Sequence, residues 1–258
     1  MLIQADWPAP AGVHAVCSTR AGGVSTAAPY DSLNLGDHVG DDPAHVAANR
    51  AIFQQAIGAQ PVFLNQVHGT HVLQLDAATP HASVADACLT DQPGLACTIM
   101  VADCLPLLFA SVDGRWVAAA HAGWRGLAGQ SGTGILEETY KRFGALALID
   151  KGRADTQIIA WLGPCIGPRA FEVGDEVRTA FVAHDAQAAA MFEPLAGGKW
   201  LANLAGLARQ RLAALGVTQV FGNDGSADWC TFTQSSRFFS HRRDRVSGRL
   251  AVSIWRQA

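Results

Sequence analysis

Three short apolar runs crowd the middle of the chain, at residues 96–101, 105–111 and 116–121, with turn signals such as Asp113-Gly114 between them. Runs of this length are too short for the roughly 18–20 apolar residues of a membrane helix. They read as strands buried on both faces. Hydrophobic residues make up 49% of the 258 and charged residues 16%, enough apolar material for a sizeable core and too little charge for disorder. The net charge of −3 excludes a strongly basic nucleic-acid binder and an acidic tail. Residues 1–10 lack a basic stretch followed by an apolar core, so no signal peptide is expected and a cytoplasmic location is. In that setting the six cysteines are expected to stay reduced.

Around these runs the signals alternate. Residues 13–19 read as a strand. Asp42-Pro43 opens a helix that runs to Ile57 and stops at Gly58. Short strands at 62–67 and 71–75 flank His68-Gly69-Thr70. A glycine-rich segment, 123–134, leads into a helix from Ile135 to Phe143 that Gly144 should close. A strand at 157–162 ends in Gly163-Pro164-Cys165-Ile166-Gly167. Helices are expected at 175–183 and 201–215, a long turn at 193–199, and late strands at 217–221 and 249–255. No repeat or linker divides the chain, so residues 1–258 read as one domain. Strands arriving in runs rather than in βαβ alternation predict an α+β fold with a mixed sheet.

No P-loop, no GxGxxG after a strand, no HExxH, no GxSxG and no HxE…PCxxC occurs. There is no His-x-His pair, the device with which multi-copper oxidases usually clamp a trinuclear cluster. What remains is polar residues at the ends of apolar strands. His68 follows Asn65-Gln66-Val67, Cys104 sits in Ala102-Asp103-Cys104-Leu105-Pro106, and His121 opens His121-Ala122-Gly123-Trp124-Arg125-Gly126. Their separations are not those of a zinc finger, so only the fold can bring them together. Two imidazoles and a thiolate suit Zn²⁺ and leave a fourth position for a water whose pKa zinc lowers to around 7. Taken by spacing alone, Cys104 reads as a core residue and His68 as a turn residue. Arg20, Arg125 and Arg242 could grip phosphate, or simply face solvent. Cys165 could be a nucleophile or pack, and Trp124 could stack on a base or pack.

Taken together, Ser18-Thr19-Arg20 with Gly22-Gly23-Val24-Ser25, then Ser32-Leu33-Asn34-Leu35-Gly36, Asn65-Gln66-Val67-His68-Gly69, the Asp103-Cys104 and His121 blocks, Gly163–Gly167 and Phe238-Phe239-Ser240-His241-Arg242-Arg243-Asp244 resemble the YfiH-like family. The resemblance spans about residues 13 to 255. One departure is Ser247 before Gly248-Arg249, where Thr is expected. This family has been called laccase-domain or polyphenol oxidase and is now mostly described as purine nucleoside phosphorylase with adenosine deaminase activity.

The resemblance implies a mixed α/β sandwich similar to a toxin deamidase that uses a Cys–His pair. It implies a metal on His68, Cys104 and His121, zinc rather than copper. The implied reactions are phosphorolysis of adenosine, inosine, guanosine and 5′-methylthioadenosine, and deamination of adenosine. Arg20, Gln66, Asp103, Arg125 and Arg242 are the candidate substrate contacts, with Asp103 able to help move protons. The implied partners are purine nucleosides and phosphate, with no nucleic acid or membrane; the sequence does not give an oligomeric state. Three other readings stay open: a copper phenol oxidoreductase, a hydrolase or amidase with Cys104 as nucleophile and His121 as base acting on a cell-wall precursor, and a non-enzymatic metal-storage or interaction protein.

Overall fold

The central apolar runs are strands that alternate between two separate cores, which is why they carry no polar face. In a computed structural model describing residues 1–151 and 157–258, Leu95–Val101 sends Cys97, Ile99 and Val101 to one side and Ala96 and Met100 to the other. Leu105–Ser111 sends Leu108 and Ala110 to the first of these cores, and Leu105, Leu107 and Phe109 to a third. Val117–Ala122 alternates in the same way, Val117 and Ala119 against Ala118, Ala120 and Ala122. Successive strand side chains point to opposite faces, so a strand buried on both sides needs layers on both sides.

Those layers are two sheets packed face to face. The first has five strands in the order Leu2–Gln4, Val13–Ser18, Leu250–Arg256, Leu95–Val101, Gln60–Phe63. The second has six, in the order Gln219–Gly222, Ile158–Leu162, Leu105–Ser111, Val117–Ala122, Ala87–Thr90, Val72–Gln74. Each sheet mixes parallel and antiparallel pairs. The helix Pro43–Ile57 covers the outer face of the first sheet through Phe53 and Ile57. The helix Ile135–Lys151 covers the second through Ile135, Leu136 and Phe143. The result is a mixed α/β sandwich.

Local signals explain many boundaries. Asp42 accepts from Ala44 N at 2.8 Å, Pro43 occupies the first turn, and Gly58 ends the helix in the left-handed region at φ 65°. Gly144 does not close its helix. Phe143 and Leu146, on either side, are both buried in the outer core, and that packing outweighs the roughly 1 kcal/mol a mid-helix glycine costs.

The expected turn at 193–199 and the start of the expected 201–215 helix are instead a small third sheet. Its strands are Glu172–Gly174, Lys199–Ala202 and Phe192–Leu195. The helix begins at Leu204, where the Asn203 side chain accepts from Gly206 N. The strand Ala87–Thr90 and the short helix Trp124–Ala128 are further elements that the sequence pattern did not separate.

All six cysteines are unpaired thiols. No helix among the described residues is long and apolar enough to cross a membrane.

Candidate metal centre

Strand register brings the three separated residues to one end of the second sheet. Leu105 pairs with Ala122 and Pro106 with His121, so Cys104, immediately before the first strand, lies beside the end of the second. Ala87 pairs with Ala120, which places Asp86 against His121 from the other side, and His121 N donates to Asp86 O at 2.7 Å. His68 reaches the same point from the loop between Gln60–Phe63 and Val72–Gln74. The ligand atoms of His68, Cys104 and His121 all lie within 4.8 Å of one another. Cys104 Sγ is 3.7 Å from His68 Nε2, and the two imidazoles meet edge to face at 4.7 Å.

Asp86, fully buried, organises this cluster. Its carboxylate accepts from the backbone N–H groups of Val67 (3.1 Å), His68 (2.9 Å) and Gly69 (2.7 Å), and from His121 Nδ1 at 2.9 Å. One side chain therefore folds the His68 loop and orients His121. With Nδ1 committed to Asp86, Nε2 of His121 is the nitrogen left for a metal, the carboxylate–histidine arrangement typical of metal ligands. His68 and Asp103 both have positive φ, 61° and 86°, a conformation costly for residues with a Cβ and frequent at functional sites. Space is equally constrained. A Cβ on Gly123 would lie 2.7 Å from His68 Cδ2 and 3.0 Å from Cys104 Sγ.

The electrostatics favour a metal-binding thiolate. Burial alone would push the Cys104 thiol up, but His121 and then His68, by charge and hydrogen bonding, bring it down to about 6. Burial would lower His121; the Cys104 thiolate and the hydrogen bond to Asp86 raise it to about 9. Asp86, which burial would raise, is held below the ordinary carboxylate range by its bonds to His121, Gly69 and Val67. Two imidazoles and one thiolate, one imidazole anchored from behind, fit a divalent metal of intermediate softness.

The trio opens into a cleft of about 290 Å³ lined by Gln66, His68, Met100, Cys104, His121 and Arg249, with His38 and His241 also on its wall. This is the small end of the ~300–1,000 Å³ usual for ligand sites. Gln66 is fixed there, donating to Met100 O and accepting from Met100 N, both at 2.8 Å. Asp103 has both oxygens occupied at 2.6 Å, one by the Thr231 hydroxyl and one by Arg242 N. It thereby ties the short helix His241–Asp244 to the Cys104 loop.

The three candidate arginines are placed apart from the trio. Arg20 is bonded to Asp31 and Ser235 O in a shallow recess of its own. Arg125 is exposed and lies over the Trp124 ring at 4.6 Å. Arg242 donates to Glu172 O and lies over Phe171. Trp124 packs against the outer core. Cys165 is buried, and burial pushes its thiol far up, so it is a packing residue. Asp86 and Arg249 escaped the sequence reading. For Asp86 the signal was a lone carboxylate entering the apolar run 85–89.

Comparison with known proteins places the chain in a family. The family model described as "Multi-copper polyphenol oxidoreductase laccase" matches residues 14–257. The chain is 52% identical to "Purine nucleoside phosphorylase YfiH" of Escherichia coli K12 and 49% identical to "Purine nucleoside phosphorylase PA4543" of Pseudomonas aeruginosa; each match covers 98% of this chain and at least 97% of the relative. Among solved structures, Neisseria meningitidis protein NMB0706 superposes with a TM-score of 0.89 at 45% identity, covering 100% of this chain and 99% of that one. Bacillus licheniformis hypothetical protein YfiH gives 0.83 at 28%, covering 95% and 93%. The chain belongs to the YfiH-like, laccase-domain family.

Proposed function

We propose that this chain is a metal-dependent purine nucleoside phosphorylase that also deaminates adenosine. The observation that carries the reading is the end-to-end match, at about half identity, to bacterial proteins named purine nucleoside phosphorylase. His68, Cys104 and His121 would hold the metal, and three protein ligands with a fourth position left open match the pattern of a catalytic zinc site. Zinc bound there supplies a Lewis acid and lowers the pKa of a water to around 7.

The chain's own groups do the rest. Asp86 keeps His121 in one tautomer and one orientation. The cleft wall at Met100, Val101 and Ala102 would offer an apolar surface to a purine ring beside the polar trio. Gln66, locked by two backbone bonds, fixes that wall. In phosphorolysis a phosphate oxygen bonds to C1′ as the C1′–N9 bond breaks. The bonding pair stays with N9, which takes the proton phosphate gives up. In deamination water adds at C6 of adenosine and ammonia leaves, giving inosine. 5′-Methylthioadenosine belongs to the same substrate class.

The family description favours a second reading, copper-dependent phenol oxidation. Against it, His68, Cys104 and His121 form the one cluster of three such donors among the described residues, where a multi-copper centre needs several.

The test is metal content by mass spectrometry on protein purified without added metal, paired with adenosine and inosine turnover with and without phosphate. His121→Ala is the control. The reading expects about one zinc per chain, with inosine, adenine and hypoxanthine formed by wild type alone. Phenol-dependent oxygen uptake without nucleoside turnover would replace it with the copper reading.

A further inference from the structure

The cleft holds one cation that the sequence motifs did not single out. Arg249 immediately precedes the strand Leu250–Arg256, whose Leu250 pairs with Val101. The register therefore sets Arg249 across from Ala102, at the start of the loop that carries Cys104. The metal trio comes from the end of one sheet and Arg249 from the end of the other.

Its setting is built. Arg249 N donates to Asn34 Oδ1 at 2.8 Å, and Leu35 N donates to Arg249 O at 3.1 Å. The stem lies against Gly36, where any Cβ would come within 2.7 Å of Arg249 Cγ. The block Ser32-Leu33-Asn34-Leu35-Gly36, which otherwise has no part in the site, thus forms the bed of this side chain. At the head, Nη1 alone is tethered. It donates to Ser247 O (2.9 Å), Gly248 O (3.2 Å) and Ser247 Oγ (3.3 Å).

Nε and Nη2 donate to no described residue. Arg20, Arg50 and Arg243 are matched by the carboxylates of Asp31, Asp37 and Asp244, while Arg209 and Arg256 spend Nε and Nη groups on backbone carbonyls. Arg249 has no such ion pair among the described residues. Burial works against its charge, and the Cys104 thiolate, Asp103 and Tyr30 act on it only as neighbours in the field. A half-buried guanidinium that lines a ligand-sized cleft, tethered through Nη1 alone with Nε and Nη2 uncommitted, matches a bidentate oxyanion site.

We propose that Arg249 is the phosphate-holding residue of this enzyme, gripping two phosphate oxygens through Nε–H and Nη2–H beside the metal trio. The assignment rests on the phosphorylase reading for its substrate but not for its chemistry. Ser247 supports the same fork, since its hydroxyl accepts from Nη1 just as a threonine hydroxyl would.

The experiment measures inorganic phosphate binding to the metal-loaded enzyme by equilibrium dialysis, alongside steady-state phosphorolysis of inosine. The proteins are wild type, Arg249→Gln, Arg249→Lys and Arg242→Gln. Arg249→Gln is expected to weaken phosphate binding roughly tenfold to a hundredfold, the loss of a charge-assisted bidentate contact. The KM for phosphate should rise by a similar factor and the KM for inosine by much less. Arg249→Lys, which keeps the charge but not the fork, should recover only part of the loss, and it decides the matter if the Gln variant does not fold.

Unchanged phosphate affinity in folded Arg249 variants overturns the assignment, as does loss of binding in Arg242→Gln instead. Phosphate bound through Arg249 by a wild type that does not cleave inosine refutes the phosphorylase reading and leaves the oxyanion site standing.

Discussion

Asp86→Asn should uncouple the metal centre from the fold. The wild-type carboxylate meets four donors, two on each oxygen: His68 N and His121 Nδ1 on Oδ1, Val67 N and Gly69 N on Oδ2. An amide can accept on one side only, so either the histidine pair or the backbone pair faces an NH₂ group. Two buried donors left unsatisfied, at about 1–3 kcal/mol each, predict a loss of about 2–6 kcal/mol. For a chain of this size that is a fall in Tm of roughly 4–24 °C. Because His121 loses its anchor, metal affinity should drop about 10–100-fold. Competition with a chromophoric chelator and thermal melts with and without EDTA measure the two effects separately. A sign follows for pH as well. Asp86 is held below its ordinary value, so its contribution to stability is full above about pH 4 and is lost as pH falls through the lowered value. The variant should show a shallower acid limb. Zinc affinity within threefold of wild type, with an unchanged Tm, would refute the reasoning that Asp86 holds the centre.

Other predictions follow from single contacts. In metal-free protein the Cys104 thiolate should populate above about pH 6, so alkylation by iodoacetamide should rise through that value and not near 8.5, and added zinc should suppress it; a midpoint near 8.5 contradicts the His121 and His68 contacts. Gly123→Ala should cost at least tenfold in zinc affinity, read by the same chelator competition, because its Cβ would displace the ring of His68 and the sulfur of Cys104. Arg209→Ala should lower stability by about 2–4 kcal/mol in urea, since Arg209 donates to the carbonyls of Val220, Phe221, Gly222 and Asn223 where the edge strand Gln219–Gly222 ends; an unchanged midpoint would mean that water replaces it freely.

The fold was legible where one residue type settles a local choice. Asp42, Pro43 and Gly58 bound their helix, and the alternating cores of Leu105–Ser111 and Val117–Ala122 account for strands without a polar face. It was illegible where distant packing overrides local preference. Gly144 passes through a helix because Phe143 and Leu146 are both buried. Pro194, expected in a turn, lies within a strand opposite Trp200, and only Ala196–Gly198 turn the hairpin, whose pairing no local pattern announces.

The site shows the same division at finer grain. His68, Cys104 and His121 stand out in the sequence because imidazole and thiolate are scarce and chemically distinctive at the ends of apolar strands. Asp86 and Arg249 do not, because carboxylates and guanidiniums occur everywhere on protein surfaces, and what distinguishes these two is position. Asp86 becomes an organiser only when register sets it beside His121 and curls the His68 loop over it. Arg249 becomes available to a ligand because Asn34 and Gly36 seat its stem while no carboxylate among the described residues takes its free edge. The two sheets therefore have different parts in the site. The second sheet assembles the metal ligands, the first supplies the cation, and residues 102–104 join them because the chain crosses from one sheet to the other there. The His68–Cys104–His121 cluster and Arg249 are carried on opposite sheets and held in place by the packing between them, so substitutions in the shared core at Ile99, Leu108 or Val252 should lower zinc affinity, read by chelator competition, before they lower Tm.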